Sequence, residues 1–170
     1  AEACKALMAE IKGSGVPAMM MTVHEPQNGY WSAAEGMADL ASGISLQPCN
    51  ITRVGSTVKT FTAVAIFLLQ EDGLLNIDHP VTDYLAQEDI RGLKNADKAT
   101  VRQLLQHSSG IFNYIQDPKF QTASLNDLVK DWQPEELLAY ARGKDPYFAP
   151  GTNVRYSNTN YILLGMIIEK

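Results

Sequence analysis

The spacing of apolar positions changes along the 170 residues. Residues 3–12 place Ala, Leu, Met and Ile on one side and Lys5, Glu10 and Lys12 on the other, which predicts a short helix stopped by Gly13-Ser14-Gly15. After Pro17, residues 18–23 and 30–35 read as strands separated by Glu25-Pro26-Gln27-Asn28-Gly29. The Asn-Gly pair there supplies the positive φ angles of a hairpin reversal. No third clear strand follows in the pattern. A lone hairpin is marginal in water, so this one needs further strands or a helix on one face.

Residues 57–70 switch to helix. The run Ala63-Val64-Ala65-Ile66-Phe67-Leu68-Leu69 is apolar all round, the mark of a centrally buried helix, and Gly73 fits its stop. The remainder alternates short helices with polar loops: 101–106 ended by Gly110, 125–130 begun by Ser124 with Asp127 three residues on, and 135–141 opened by Pro134 and ended by Gly143. Pro150-Gly151 marks a turn, and residues 161–168 begin a last apolar helix. The pattern is free of internal repeats. It predicts an α+β fold in which a hairpin and central helix fill residues 1–80 and a mainly helical region fills residues 81–170.

Composition narrows the function. Hydrophobic residues are 45% and charged residues 19%, ordinary globular values that exclude disordered and coiled-coil classes. Fourteen basic against nineteen acidic side chains give a net charge of −5 and a pI near 5.1. Nucleic acid and acidic membrane surfaces are therefore unsuitable partners, since phosphate binding needs clustered Lys and Arg. The longest apolar run, residues 63–69, is far short of the roughly 18 that span a bilayer, so no transmembrane segment is expected. The opening AEACKALMAE has neither the basic start nor the apolar stretch of a signal peptide and fits a mature start after cleavage. Cys4 and Cys49 lack C-x-x-C spacing; a disulfide in an oxidising compartment and two separate thiols both remain open. His24, His79 and His107 are scattered without metal-ligand spacing, so no metal or other cofactor is expected, and His107-Ser108-Ser109-Gly110 reads as a helix end and turn. Met19-Met20-Met21 reads as sheet packing, and Glu135 and Glu136 as residues favoured at a helix start.

Two short segments can carry chemistry. Ser56 and Lys59, three apart on a helix, share one face about 5–6 Å apart. A serine hydroxyl is a weak nucleophile until a base takes its proton, and a lysine can do so where burial and nearby positive charge lower its pKa. At a helix N-terminus, Ser56 would also have free backbone N–H groups to stabilise an oxyanion. The bland alternative is an N-capping serine with Lys59 reaching to water. In Tyr156-Ser157-Asn158, the phenol can relay protons near a cation, and Asn158 offers donor and acceptor to an amide. Its bland alternative is a buried tyrosine with an N-capping Asn158.

The segment Arg53-Val54-Gly55-Ser56-Thr57-Val58-Lys59-Thr60-Phe61-Thr62-Ala63 resembles the active-site segment of the serine β-lactamase and penicillin-binding DD-peptidase superfamily. Gly36 to Gly43, Glu71-Asp72-Gly73-Leu74-Leu75, Leu104 to Gly110, and Pro150-Gly151 through Tyr161 resemble its further segments in the same order. Within the superfamily the likeness is nearest to class C β-lactamases, D-alanyl-D-alanine carboxypeptidases and related esterases. That resemblance implies Ser56 as acylated nucleophile, Lys59 and Tyr156 as proton-transfer pair, and Asn158 as a contact to substrate and lysine. The backbone N–H of Ser56 would be one of two oxyanion donors.

Such enzymes carry a third motif, Lys or His followed one residue later by Gly, on a C-terminal strand that gives the second oxyanion N–H. No such strand is found, so residues 1–170 are expected to be the N-terminal portion of one catalytic domain, nearly inactive and poorly folded without the missing C-terminal portion. The resemblance implies a D-Ala-D-Ala peptide, a β-lactam or an ester as substrate, with carboxypeptidase preferred, and a periplasmic or cell-envelope location. The alternatives are a class C-type β-lactamase or esterase and, from another class, a non-catalytic peptidoglycan or partner-binding module.

Overall fold

The computed structural model describes residues 2–170, which divide into two units, one ending at Val54 and one beginning at Gly55. In the first unit, helix α1 (Glu2–Gly13) buries Met8. Strand β1 (Ala18–Glu25) pairs antiparallel with β2 (Gly29–Asp39), from Ala18 opposite Gly36 to Glu25 opposite Gly29. The strands are longer than the apolar alternation indicated, because cross-strand pairs such as Thr22 and Ser32, joined hydroxyl to hydroxyl at 2.9 Å, continue the ladder through polar positions. The reversal uses three residues, Pro26 to Asn28, with Asn28 N–H on the Glu25 carbonyl at 3.0 Å, and Gly29 alone takes a positive φ, +79°. The expectation of no third strand is corrected. A two-residue strand β3 (Ile44–Ser45) pairs with β2 across an irregularity between Met37 and Asp39, giving a three-stranded antiparallel sheet. Gly36 is obligatory beside that irregularity: its φ is +94°, and a Cβ there would lie 2.1 Å from the Pro17 carbonyl oxygen.

The second unit is helical. A 3₁₀ turn at Gly55–Thr57 leads into α2 (Val58–Glu71), and α3 (Gln87–Ile90), α4 (Val101–Leu105), α5 (Pro118–Asn126), α6 (Pro134–Ala139) and α7 (Asn158–Glu169) follow. One core joins Ile66 of α2 to Leu75, Val81, Leu85, Leu104, Leu138, Leu163 and Leu164. Each such aliphatic side chain contributes about 1.5–3 kcal/mol by leaving water.

Three sequence expectations change here. Helix α2 is apolar all round, but within this chain only Ile66 is fully buried; Phe61, Val64, Phe67 and Leu68 are 50–69% exposed. The expected helix at 125–130 is absent. Instead Asp117 caps α5 by accepting the Lys119 and Phe120 N–H groups, Pro118 fills its first turn, and Ser124 lies inside it with its hydroxyl on the Gln121 carbonyl. A capped Asp-Pro start about two helical turns earlier outcompetes a serine start. Finally, α4 is ended by His107, at φ +58°, and Gly110 serves a different purpose: its φ of +70° brings the backbone against Phe148. Among the described residues, no helix is long and apolar enough to cross a membrane, and Cys4 and Cys49 are both free thiols.

Candidate active site

Gly55 turns the chain at φ +56°, a conformation that costs other residues, and sets Ser56 in the 3₁₀ turn ahead of α2. Lys59 lies one helical turn on, half-buried, with its Nζ 3.3 Å from Ser56 Oγ. The same ammonium donates to Asn158 Oδ1 at 2.8 Å, a contact spanning 99 residues of sequence. The Tyr156 hydroxyl donates to Ser56 Oγ at 2.8 Å. All four residues singled out in the sequence therefore meet at one point within the second unit. Ser56 is not an N-cap with a side-chain bond, Lys59 does not end in water, and Asn158 is the first residue of α7 rather than its cap.

Tyr156 and Asn158 are held from the loop between α4 and α5. The extended stretch before α7 runs alongside it, with Gly151 N–H on the Ser108 carbonyl at 2.8 Å, Arg155 N–H on the His107 carbonyl at 2.9 Å, and Ser157 N–H on His107 Nδ1 at 3.2 Å. Asn113 Oδ1 then accepts both the backbone N–H of Asn158, at 3.1 Å, and its Nδ2, at 3.2 Å. That leaves Asn158 Oδ1 turned to Lys59, and one otherwise orphan N–H of α7 is satisfied from outside the helix. Thr159 donates to the Phe112 carbonyl at 2.6 Å and accepts the Tyr114 N–H, while buried Asn160 accepts from Ser109 and donates to the Leu104 carbonyl. The Asn158, Thr159 and Asn160 side chains thus fix the register of α7, while the Oγ of its N-cap Ser157 is buried without a hydrogen-bond partner.

Three contributors escape the sequence reading. His107 reads there only as a helix end and Asn113 carries no motif; both act through tertiary neighbours, and a polar residue three positions after Gly110 is the only local sign of the second. Tyr161 is the third, with Lys59 Nζ 5.5 Å from its ring centroid, against 5.1 Å for Tyr156.

The electrostatics favour a reactive hydroxyl. Burial pushes the Tyr156 phenol up, but hydrogen bonds with Lys59 and Ser56 and the Lys59 charge outweigh it and hold the phenol below its ordinary value. Burial, and then the Lys59 charge, hold the His107 imidazole below its ordinary value. A hydroxyl placed beside a phenol whose phenolate form the Lys59 charge favours can surrender its proton when a carbonyl carbon approaches. Among the described residues, no three His, Cys, Asp or Glu side chains group in a way that could hold a metal ion.

Comparison with known proteins agrees with the likeness read from the motifs. Penicillin-binding protein 4* of Bacillus subtilis (strain 168) is 31% identical over 139 residues, 79% of this chain and 28% of that protein. Protein flp of Staphylococcus aureus (strain COL) is 25% identical over 163 residues, 94% of this chain and 31% of that protein. A D-stereospecific amidohydrolase from Streptomyces sp. superposes with a TM-score of 0.78 at 36% identity, covering 91% of this chain and 44% of that one. The octameric penicillin-binding protein homologue from Pyrococcus abyssi gives 0.77 at 30% identity, covering 98% and 37%. The chain thus spans about a third of the length of the curated relatives it matches. Residues 4–170 match the Beta-lactamase family, and with that match, the relatives' identity and the α+β fold, the chain belongs to this family of the serine β-lactamase and penicillin-binding superfamily.

Proposed function

We propose that the chain supplies the nucleophile and proton-relay side of a serine acyl-transfer hydrolase of the D-alanyl-D-alanine carboxypeptidase type. The observation that carries this reading is the position of Ser56 Oγ, 2.8 Å from the Tyr156 hydroxyl and 3.3 Å from Lys59 Nζ. At rest the phenol donates to the serine. The attacking state is the one in which the phenol has released its proton to solvent, with the Lys59 ammonium stabilising the phenolate. Ser56 O–H then donates to the phenolate, and Oγ bonds to the substrate carbonyl carbon as the proton passes to Tyr156 and the carbonyl π pair moves to its oxygen. On collapse Tyr156 gives that proton to the departing amine. The lowered phenol pKa favours the attacking state. Water then adds to the ester carbon, returns a proton to Ser56 and releases the acid. Asn158 holds Lys59 in line and has a carboxamide suited to a substrate amide, and the Ser56 N–H, ahead of α2, is suited to the oxyanion.

The reading also treats residues 1–170 as the N-terminal portion of one catalytic domain, with the remaining portion as the partner that completes it. The exposed apolar face of α2 and the longer relatives support this. Loss of one oxyanion donor costs a serine hydrolase about 10²–10³ in rate, so residues 1–170 alone should turn over little. The penicillin-binding relative supports a periplasmic or cell-envelope location.

The likeness to a D-stereospecific amidohydrolase favours a second substrate in the same chemical class, the amide of a D-amino acid. Release of D-alanine from a D-Ala-D-Ala peptide, hydrolysis of D-amino-acid amides, and turnover of nitrocefin and p-nitrophenyl esters should be measured side by side on the full-length protein. Fastest turnover of a D-Ala-D-Ala peptide supports the carboxypeptidase. Preference for nitrocefin or the ester replaces it with a β-lactamase or esterase, and silence on all four favours the binding module.

A further inference from the structure

His107 grips the segment that carries the phenol on both sides of it. Its carbonyl accepts the N–H of Arg155, the residue before Tyr156, and its Nδ1 accepts the N–H of Ser157, the residue after. Its ring lies against the Tyr156 ring, centroids 4.4 Å apart, and against Tyr161 at 5.3 Å. A nitrogen that accepts carries a lone pair, so the neutral ring bears its proton on Nε2. The backbone is committed as well, since φ of +58° at His107 is what turns the chain from α4 back toward the site.

We infer that His107 is a positioning residue for acyl transfer, its unprotonated Nδ1 and its ring together fixing the Tyr156 phenol against Ser56 Oγ. The inference rests on the reading of Ser56 as nucleophile. The groups that face the imidazole are Lys59, Tyr156 and Tyr161, of which Lys59 is the cation. Protonation of the ring replaces the acceptor with a donor aimed at another N–H, and sets a second positive charge beside Lys59. The grip therefore holds above the imidazole's pKa and is lost as pH falls through it.

The test uses the full-length protein with a fluorescent penicillin as acylating probe, followed from roughly pH 5 to pH 8. His107→Asn keeps a carbonyl acceptor close to the Nδ1 position and tolerates a left-handed backbone, but does not titrate. His107→Gly keeps the backbone and removes both acceptor and ring. Acylation by His107→Asn at neutral pH should stay within about tenfold of wild type and lose the imidazole's part of the fall-off at low pH, whereas His107→Gly should lose 10- to 100-fold in the acylation rate constant with less change in probe affinity. Nitrogen-15 NMR of wild type gives a readout independent of activity: His107 should be the Nε2–H tautomer at neutral pH. A protonated Nδ1 overturns the inference, as does an acid limb of His107→Asn that superposes on an active wild type. A wild type that forms no adduct defeats the acyl-transfer reading itself, a result distinguishable from the other two.

Discussion

The Tyr156 hydroxyl donates to Ser56 Oγ at 2.8 Å although the two residues are 100 apart in sequence. Tyr156 is 45% exposed, so its phenol contributes little to the core and its removal tests chemistry more than folding. Tyr156→Phe should lower the acylation rate by about 10²–10⁴ with the thermal midpoint nearly unchanged. Stopped-flow acylation and a thermal melt check both parts.

Lys59→Met keeps the apolar stem and deletes the ammonium. It should abolish measurable acylation and also move the Tyr156 phenol. Since Lys59's hydrogen bond and charge hold the phenol low, and burial alone pushes it up, the variant's phenolate should appear at higher pH than in wild type. Ultraviolet titration of the variant against the same variant carrying Tyr156→Phe isolates the signal.

Asn113 accepts two N–H groups of Asn158 and is itself buried. Asn113→Leu strands those donors and should cost about 1–3 kcal/mol of stability together with most of the acylation rate. Asn113→Asp retains the acceptor and should recover both, as measured by denaturant unfolding and adduct formation.

These residues mark what the sequence discloses and what it does not. Ser56 and Lys59 are legible because one helical turn separates them, and Tyr156 and Asn158 because they share a short segment; the motifs also have recognisable neighbours in a fixed order. Asn113 and His107 reach their partners at separations of 45 and 50 residues, which no local period encodes. The hairpin is legible from its alternation, while β3 is only two residues long and leaves no pattern. The apolar run of α2 predicts burial all round, whereas within the second unit only the face that meets α7 is covered.

Two glycines separate conformational strain from collision. Gly110→Ala places a Cβ 2.1 Å from the Phe148 carbonyl oxygen, where Asn95 also donates, and should destabilise on the order of 3 kcal/mol. Gly143→Ala meets nothing within 4 Å at a similar φ of +73°, so only the left-handed penalty of about 1–2 kcal/mol applies. Denaturant midpoints of the two variants check the order.

The central claim is that the Ser56 oxygen becomes esterified. Intact-mass analysis of the full-length protein after incubation with a penicillin, followed by peptide mapping, tests it directly. A single adduct of the whole penicillin on the peptide containing Ser56, absent from Ser56→Ala, is the predicted result; an adduct that persists in Ser56→Ala, or one that maps to another residue, contradicts it.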